Sequence, residues 1–262
     1  MSDYRCEGTE EIIGTAEDPL VEAHQLVAGA FDRKLPLKLI GGLAVRELCA
    51  AFPPRLRRDQ DIDLACLSKS RGAVVAYLVE AGCEPDRRFN SLNGDRQMYF
   101  TTPAGRPLDV MVDRLTMCHT LDFRPSFNVL PLTLDVADLL LTKLQIVEMN
   151  EKDARDIFQL LSAFSLGPAT ASEPAISQTR LAKVLGSDWG WWRTVTGNLE
   201  KLPGLAASNP RLVPKNANHD PLEVARELRA VAESAPKSLQ WKVRAKLGER
   251  VRWYELPEEV AH

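Results

Sequence analysis

Two short stretches of this 262-residue chain carry residue types that could do phosphate chemistry. In Asp61-Ile62-Asp63-Leu64 acids alternate with apolar residues. In a strand, Asp61 and Asp63 then share one face, and Ile62 and Leu64 point the other way, into a core. Two neighbouring carboxylates repel each other, and a shared divalent cation removes that conflict. The second stretch is Gly41-Gly42, which follows the apolar run Leu37 to Ile40. Glycine tolerates unusual φ and close approach, and bare N–H groups at a helix start attract phosphate. A phosphate cradle followed by a carboxylate pair reads as a site for a Mg²⁺-bound nucleotide.

The elements that must position these residues can be read outward from them. Leu37 to Ile40 is a buried strand, and Gly41-Gly42 turns it into a helix marked by Leu43, Val45, Leu48 and Ala51. Pro53-Pro54 closes that helix, and a basic loop with Arg55, Arg57 and Arg58 leads into a second strand, Ile62 to Leu67. Other Asp-x-Asp sites fit poorly. A calcium loop needs ligands and a glycine where Leu64 to Leu67 is apolar. In the phosphatase and glycosyltransferase patterns a hydrophobic strand precedes the aspartates, whereas here Arg57-Arg58-Asp59-Gln60 does.

Gly41-Gly42, an intervening helix and Asp61-x-Asp63 together resemble the signature of the DNA polymerase β-like nucleotidyltransferase superfamily. The form Arg-x-x-Asp-Ile-Asp-Leu, Arg58 to Leu64, is most similar to its minimal AbiEii-type bacterial branch. The resemblance runs from about Leu37 to Leu161 and implies a metal-dependent (Mg²⁺ or Mn²⁺) transfer of a nucleoside monophosphate from an NTP to an acceptor hydroxyl. It implies that Asp61 and Asp63 hold the metal and that Gly41 and Gly42 cradle the β- and γ-phosphates. A third acid in the family sits in a hydrophobic-Asp-hydrophobic strand after a hairpin, and Leu108-Asp109-Val110 matches it, with Asp113 as the alternative. The family also carries a lysine in one helix, matched by Lys143 in Leu-Thr-Lys-Leu, and an Arg-Asp segment in the next, matched by Arg155-Asp156. The second match is partial, because Gln159 stands where an acid is often found. Lys143 and Arg58 would offset pyrophosphate charge. Asp156 would orient Lys143 or a substrate hydroxyl, unless it merely pairs with Lys152 one turn back. Members of this branch include toxins of toxin–antitoxin pairs, so a tRNA 3′ end as acceptor and an antitoxin as partner are implied.

The remaining pattern gives an α/β (α+β) chain. A helix capped by Asp18-Pro19 precedes the first strand, and another follows Ser68 with Val74, Val75, Leu78 and Val79 inward. Arg87 to Leu92 and Gln97 to Thr102 read as a hairpin around Asn93-Gly94. Pro103-Ala104-Gly105 then turns the chain into the strand that carries Asp109 and Asp113. Helices follow over 136–149, 151–164, 177–185, 189–202, 221–233 and 237–247, with 165–176 a loop. The expected fold is a mixed, mostly antiparallel sheet flanked by helices over 1–132, then a helical lobe over 133–262, with the active site between them.

Composition places the protein among ordinary globular proteins, 45% hydrophobic and 26% charged. No apolar run reaches the length of a membrane helix, and the start of the chain is too acidic for a signal peptide. Five scattered cysteines without a Cys-x-x-Cys, and histidines far apart in sequence, argue for reduced thiols in a cytoplasm rather than a zinc site. Net charge is −3, yet Lys237 to Arg252 holds six basic residues against one acid, an RNA-facing surface or a solvated helix face. Trp189, Trp191 and Trp192 fit a small helical core better than a base-stacking platform. Two other functions stay open. A small-molecule, aminoglycoside-like nucleotidyltransferase would need an acidic acceptor pocket. A non-catalytic nucleotide- or RNA-binding protein on the same fold would not need three acids.

Overall fold

The computed structural model describes residues 17–53 and 60–256, so Arg55, Arg57 and Arg58 lie outside the described residues. The chain divides into two compact units. One holds the residues up to Asp113 together with 131–133, and the other holds 114–130 and the residues from Leu134 onward.

The first unit is built on a five-stranded mixed sheet. Helix α1 (Pro19–Asp32) opens where the Asp18 side chain accepts the Leu20 N–H. Strand β1 (Leu37–Leu39), helix α2 (Gly41–Leu48), strand β2 (Ile62–Cys66) and helix α3 (Arg71–Glu80) follow. Then come β3 (Glu84–Pro85), helix α4 (Arg87–Asn93), β4 (Gln97–Thr101) and β5 (Pro107–Val112). The sheet order is β1-β2-β5-β4-β3, and β2–β5 is its parallel pair. Alternation gives the sheet two faces. Ile62, Leu64, Cys66, Met98, Phe100, Leu108, Val110 and Val112 are buried, each large apolar side chain contributing about 1.5–3 kcal/mol. Helix α1 packs against β1 and α3, and the Tyr77 hydroxyl donates to the Leu26 carbonyl at 2.7 Å. The other face carries Asp63, Gln97, Tyr99, Asp109 and Met111, all only partly buried.

The hairpin expected around Asn93-Gly94 does not form. Residues 87–93 are helix α4, whose first turn is capped by Asp86 accepting the Phe89 N–H at 2.8 Å. Gly94 sits at φ −64°, not the positive φ that a two-residue hairpin turn requires. Asn90 does with its side chain what a paired strand would do with its backbone. Its amide donates to the Tyr99 carbonyl, and its oxygen accepts the Tyr99 N–H. The strand that does pair with β4 on that side is the short β3. A second departure lies at the start of α3. A 3₁₀ turn, Ser68–Ser70, precedes it, so Ser70 rather than Ser68 stands at the N-cap, and it makes no side-chain cap bond. Val74 and Leu78 are buried as the pattern predicts, but Val79 is 49% exposed and Tyr77 fills the inward position.

The second unit is mainly helical. A hairpin of β6 (Arg114–Thr116) and β7 (Thr120–Asp122) precedes helices α5 (Val136–Leu144) and α6 (Glu151–Ala163). The pattern predicts α5 running to Met149, but it ends at Leu144. The Asn198 amide takes up the freed carbonyls of Leu144 and Ile146. The expected loop over 165–176 contains β8 (Leu166–Gly167), which pairs in parallel with β9 (Ile176–Ser177). Helices α7 (Gln178–Ser187), α8 (Trp189–Ser208), α9 (Pro221–Ser234) and α10 (Leu239–Leu247) complete the unit. Trp189 and Trp191 are buried, so this tryptophan cluster fills core. Among the described residues, no helix is long and apolar enough to cross a membrane.

His119 follows β6 in this unit and is buried. Its Nε2 lies 2.8 Å from Thr194 Oγ1, and its ring is 5.0 Å from that of Trp191. Burial pushes its pKa down to about 4. Folded His119 therefore stays neutral while the unfolded side chain, near 6.5, takes a proton. The resulting loss of stability is absent above pH 6.5 and grows as pH falls towards 4. We expect wild type to lose about 2 kcal/mol relative to His119→Gln between pH 7 and pH 5, measured by urea unfolding at both pH values. Asp135, raised to about 6 by burial and then by Asp138, acts in the opposite direction but is common to both proteins. Parallel stability curves would refute a buried neutral imidazole.

Candidate active site

The site is seated where β1 turns into α2. The Ile40 N–H donates to the Asp63 carbonyl at 2.9 Å, so β1 and β2 are held together up to the turn. Gly41 then takes φ +68°, the left-handed region, and opens α2. A Cβ on Gly41 would stand 2.4 Å from Asp63 Oδ2 and 3.2 Å from its Cβ and Cγ. The glycine is thus needed twice, for its dihedral and for the approach of the carboxylate. Ile40, the N-cap residue of α2, supplies no side-chain cap to the first turn, whose N–H groups are the orphan donors of a helix start.

Gly41→Ala combines a strained φ with a collision against Asp63. It should cost about 1–3 kcal/mol of stability and displace the carboxylate. Gly42 is not at positive φ and lies in the first helical turn, so Gly42→Ala escapes the dihedral strain and should cost less than Gly41→Ala. Chemical denaturation of the two variants side by side checks this, and equal losses would contradict the geometry.

The acids gather on the partly buried face of the sheet. Asp63 on β2 is paired with Asp109 on β5 in register, so their backbones run about 4.8 Å apart. Asp61 is exposed and immediately precedes β2. On the other side of β5, Tyr99 is paired with Asp109, and the Gln97 amide donates to Asp109 Oδ1 at 2.5 Å. The Tyr99 phenol is raised by burial first, then by the negative charges of Asp109, Asp61 and Asp86. Asp113 has a different task. It sits in left-handed backbone at φ +61°, its N–H donates to the Cys66 carbonyl, and its Oδ1 accepts the Ser68 N–H at 2.9 Å.

Does this donor set suit a metal? Among the described residues, no three His, Cys, Asp or Glu side chains form a ready ligand group. The carboxylates of Asp61, Asp63 and Asp109 are hard oxygen donors. Mg²⁺ is commonly held by one or two carboxylates together with substrate phosphates rather than by a complete protein cage. The residues present suit an ion that binds together with a nucleotide.

In the second unit, Lys143 on α5 lies 2.7 Å from Asp156 Oδ2 and 3.9 Å from Asp153 Oδ1, both on α6. Asp156 thus pairs with Lys143 rather than with Lys152. Arg58, the remaining expected phosphate ligand, lies outside the described residues. The structure brings together Gly41, Asp61, Asp63 and Asp109 in one unit, and Lys143 and Asp156 in the other. Gln97, Tyr99 and Asp153 are additions that sequence reading missed. The first two were within reach. Counting outward from the turn Pro103-Ala104-Gly105 places Tyr99 opposite Asp109 and Gln97 on the same face.

No protein-family model matches the sequence, and no curated protein matches it significantly. Solved structures do align with it. One is ANT(2″)-Ia in complex with adenylyl-2″-tobramycin, with 15% identity and a TM-score of 0.39 over 55% of this chain and 88% of that one. Another is an antigenic nucleotidyltransferase-like protein from Paracoccidioides brasiliensis, with 13% identity and a TM-score of 0.39 over 86% and 96% of the respective chains.

Proposed function

We propose that the protein is a Mg²⁺-dependent nucleotidyltransferase of the AbiEii type that moves a nucleoside monophosphate from an NTP to an acceptor hydroxyl. The observation that carries this reading is the seating of Asp63. It stands opposite Asp109 and packs on the left-handed glycine that opens α2, where the N-cap residue Ile40 gives no side-chain cap. A binding protein that only needed to attract phosphate would not place carboxylates beside such a helix start. Asp61 and Asp63 would hold a divalent ion jointly with the triphosphate, and that ion would supply charge neutralisation and polarisation at the α-phosphate. Gly41 and Gly42 offer backbone amides to the β- and γ-phosphates. Asp109, oriented by Gln97, adds a third oxygen ligand or accepts the proton of the attacking hydroxyl. Arg58 would offset the charge of the leaving pyrophosphate.

The acceptor we assign is a tRNA 3′ end, in a cytoplasmic toxin held in check by an antitoxin. The basic run from Lys237 to Arg252 supports a polyanionic acceptor over a cationic aminoglycoside. Buried free thiols at Cys49, Cys66, Cys83 and Cys118 suit a reducing compartment.

The test incubates the protein with Mg²⁺, each α-labelled NTP and total cellular RNA, beside an Asp61→Ala/Asp63→Ala control. Label entering tRNA only with the intact protein supports the whole reading and identifies the base used. Label entering a small molecule instead would retain the reaction and replace the acceptor. Absence of both transfer and Mg²⁺-dependent NTP binding would overturn the reading.

A further inference from the structure

The second unit contains a cavity of about 740 Å³ formed entirely by its own residues, among them Lys183, Arg244, Arg252, Trp253, Tyr254 and Glu255. That volume lies in the range of sites for small molecules and single nucleotides. The charges around it are not equally engaged. Arg180 is spent on the buried Asp138, Asp122 is held by Arg124, and Asp188 caps α8 by accepting the Trp191 N–H. Arg244 stacks 4.8 Å from the centre of the Trp189 ring and donates to the carbonyls of Gly248 and Val251, and it forms no ion pair among the described residues. Lys183 and Arg252 are exposed, and neither forms an ion pair among the described residues. Against these three cations the cavity sets two acids that form no ion pair among the described residues, Glu255 and Asp188, the latter taken up as the α8 cap. Half-exposed aromatic rings stand beside them. Trp253 is anchored by its Nε1–H to Thr194 Oγ1, and the Arg252 guanidinium lies 5.8 Å from the Tyr254 ring.

We propose that this cavity binds a phosphorylated nucleoside, with its phosphate between Lys183, Arg244 and Arg252 and its base against the Trp253–Tyr254 edge. Cations alone would suit any anion, and aromatic rings alone any apolar planar group. The combination selects a ligand that is both, because a base stacks on a ring while its phosphate takes charge-assisted hydrogen bonds. The basic run of the sequence then has a defined use. Arg244 and Arg252 point the run at a cavity instead of spreading it over a solvated face. The base-stacking role considered for Trp189, Trp191 and Trp192, of which the first two are buried and the third half-buried, passes to Trp253 and Tyr254.

The ligand could be a free mononucleotide or one nucleotide of an RNA strand, and the experiment separates them. Binding of labelled AMP and of a labelled single-stranded RNA hexamer is measured by equilibrium dialysis, in EDTA so that metal-dependent binding is silent. The proteins are wild type, Lys183→Glu/Arg252→Glu and Asp61→Asn/Asp63→Asn. Both cavity substitutions are at exposed positions, and matching thermal unfolding confirms an intact fold. We expect the charge reversal to weaken binding at least tenfold and the aspartate variant to bind like wild type. AMP binding without hexamer binding assigns a mononucleotide site; hexamer binding at least tenfold tighter than AMP assigns an RNA strand. Wild type binding neither probe at millimolar concentration, or binding unchanged by the charge reversal, overturns the proposal. So does binding lost equally in the aspartate variant.

Discussion

Asp63→Asn should reduce nucleotidyl transfer about 10³-fold or more while leaving the fold intact. Asparagine keeps the shape of the side chain and can sit against Gly41 as the carboxylate does. What it loses is the negative oxygen that would bind a divalent ion. Losing such a ligand forfeits several kcal/mol of transition-state stabilisation, and about 4 kcal/mol corresponds to 10³ in rate. The same substitution at Asp109 should also be severe, since Asp109 shares the face and register of Asp63. At Asp113 it should leave turnover within a few fold, because that side chain serves the Ser68 N–H. Single-turnover rates at saturating Mg²⁺ and NTP for the three variants are the measurement. Equal rates for Asp63→Asn and Asp113→Asn would remove Asp63 from the chemistry.

Arg180→Met should cost about 3–5 kcal/mol, the largest stability loss we expect from one substitution outside the sheet. Arg180 on α7 donates to Asp138 on α5 at 2.7 Å and also to the Asp122 carbonyl on β7. Asp138 is fully buried, with Ser126 as its other partner. Burial already raises its pKa despite the guanidinium. Removing the arginine leaves a buried carboxylate without its counter-charge, the situation in which a broken pair costs most. Linkage gives the direction with pH. The orphaned Asp138 would have a folded pKa raised further above its unfolded value near 3.9. The deficit is therefore greatest at neutral pH and shrinks as pH falls towards the unfolded value. Adding Asp138→Leu should recover most of the loss, because an apolar pair of similar volume has no charge to desolvate. Urea unfolding of the single and double variants decides it. A double variant as unstable as the single one would mean that packing, not the unpaired charge, sets the cost.

Much of the first unit was legible in its residues, and the reason is local. A strand alternates faces whatever it packs against, so Asp61-x-Asp63 and Leu108-Asp109-Val110 declare an acidic face and an apolar face before any fold is known. A glycine pair between an apolar strand and a helix announces a tight turn, and Gly41 takes the left-handed φ that only such a residue adopts cheaply. Helix caps at Asp18 and Asp135 are equally local: each donor lies two residues from its acceptor. The segment 87–93 shows where local signals mislead. Asn93-Gly94 is a strong hairpin signal, but Asp86 caps a helix there and Asn90 satisfies the edge of β4 from its side chain.

Other features depend on partners distant in the chain, and sequence spacing carries no information about them. That Asp113 supports a turn follows from Ser68, 45 residues earlier. That Asp156 pairs with Lys143 follows from how α5 packs on α6. The cavity cations are distinguished by which acids the fold has already assigned elsewhere, Asp138 to Arg180 and Asp122 to Arg124. By itself, then, the sequence determined which residues face together along each element. The tertiary structure decided which of those faces meet, because register and packing are set by contacts between segments far apart in the chain.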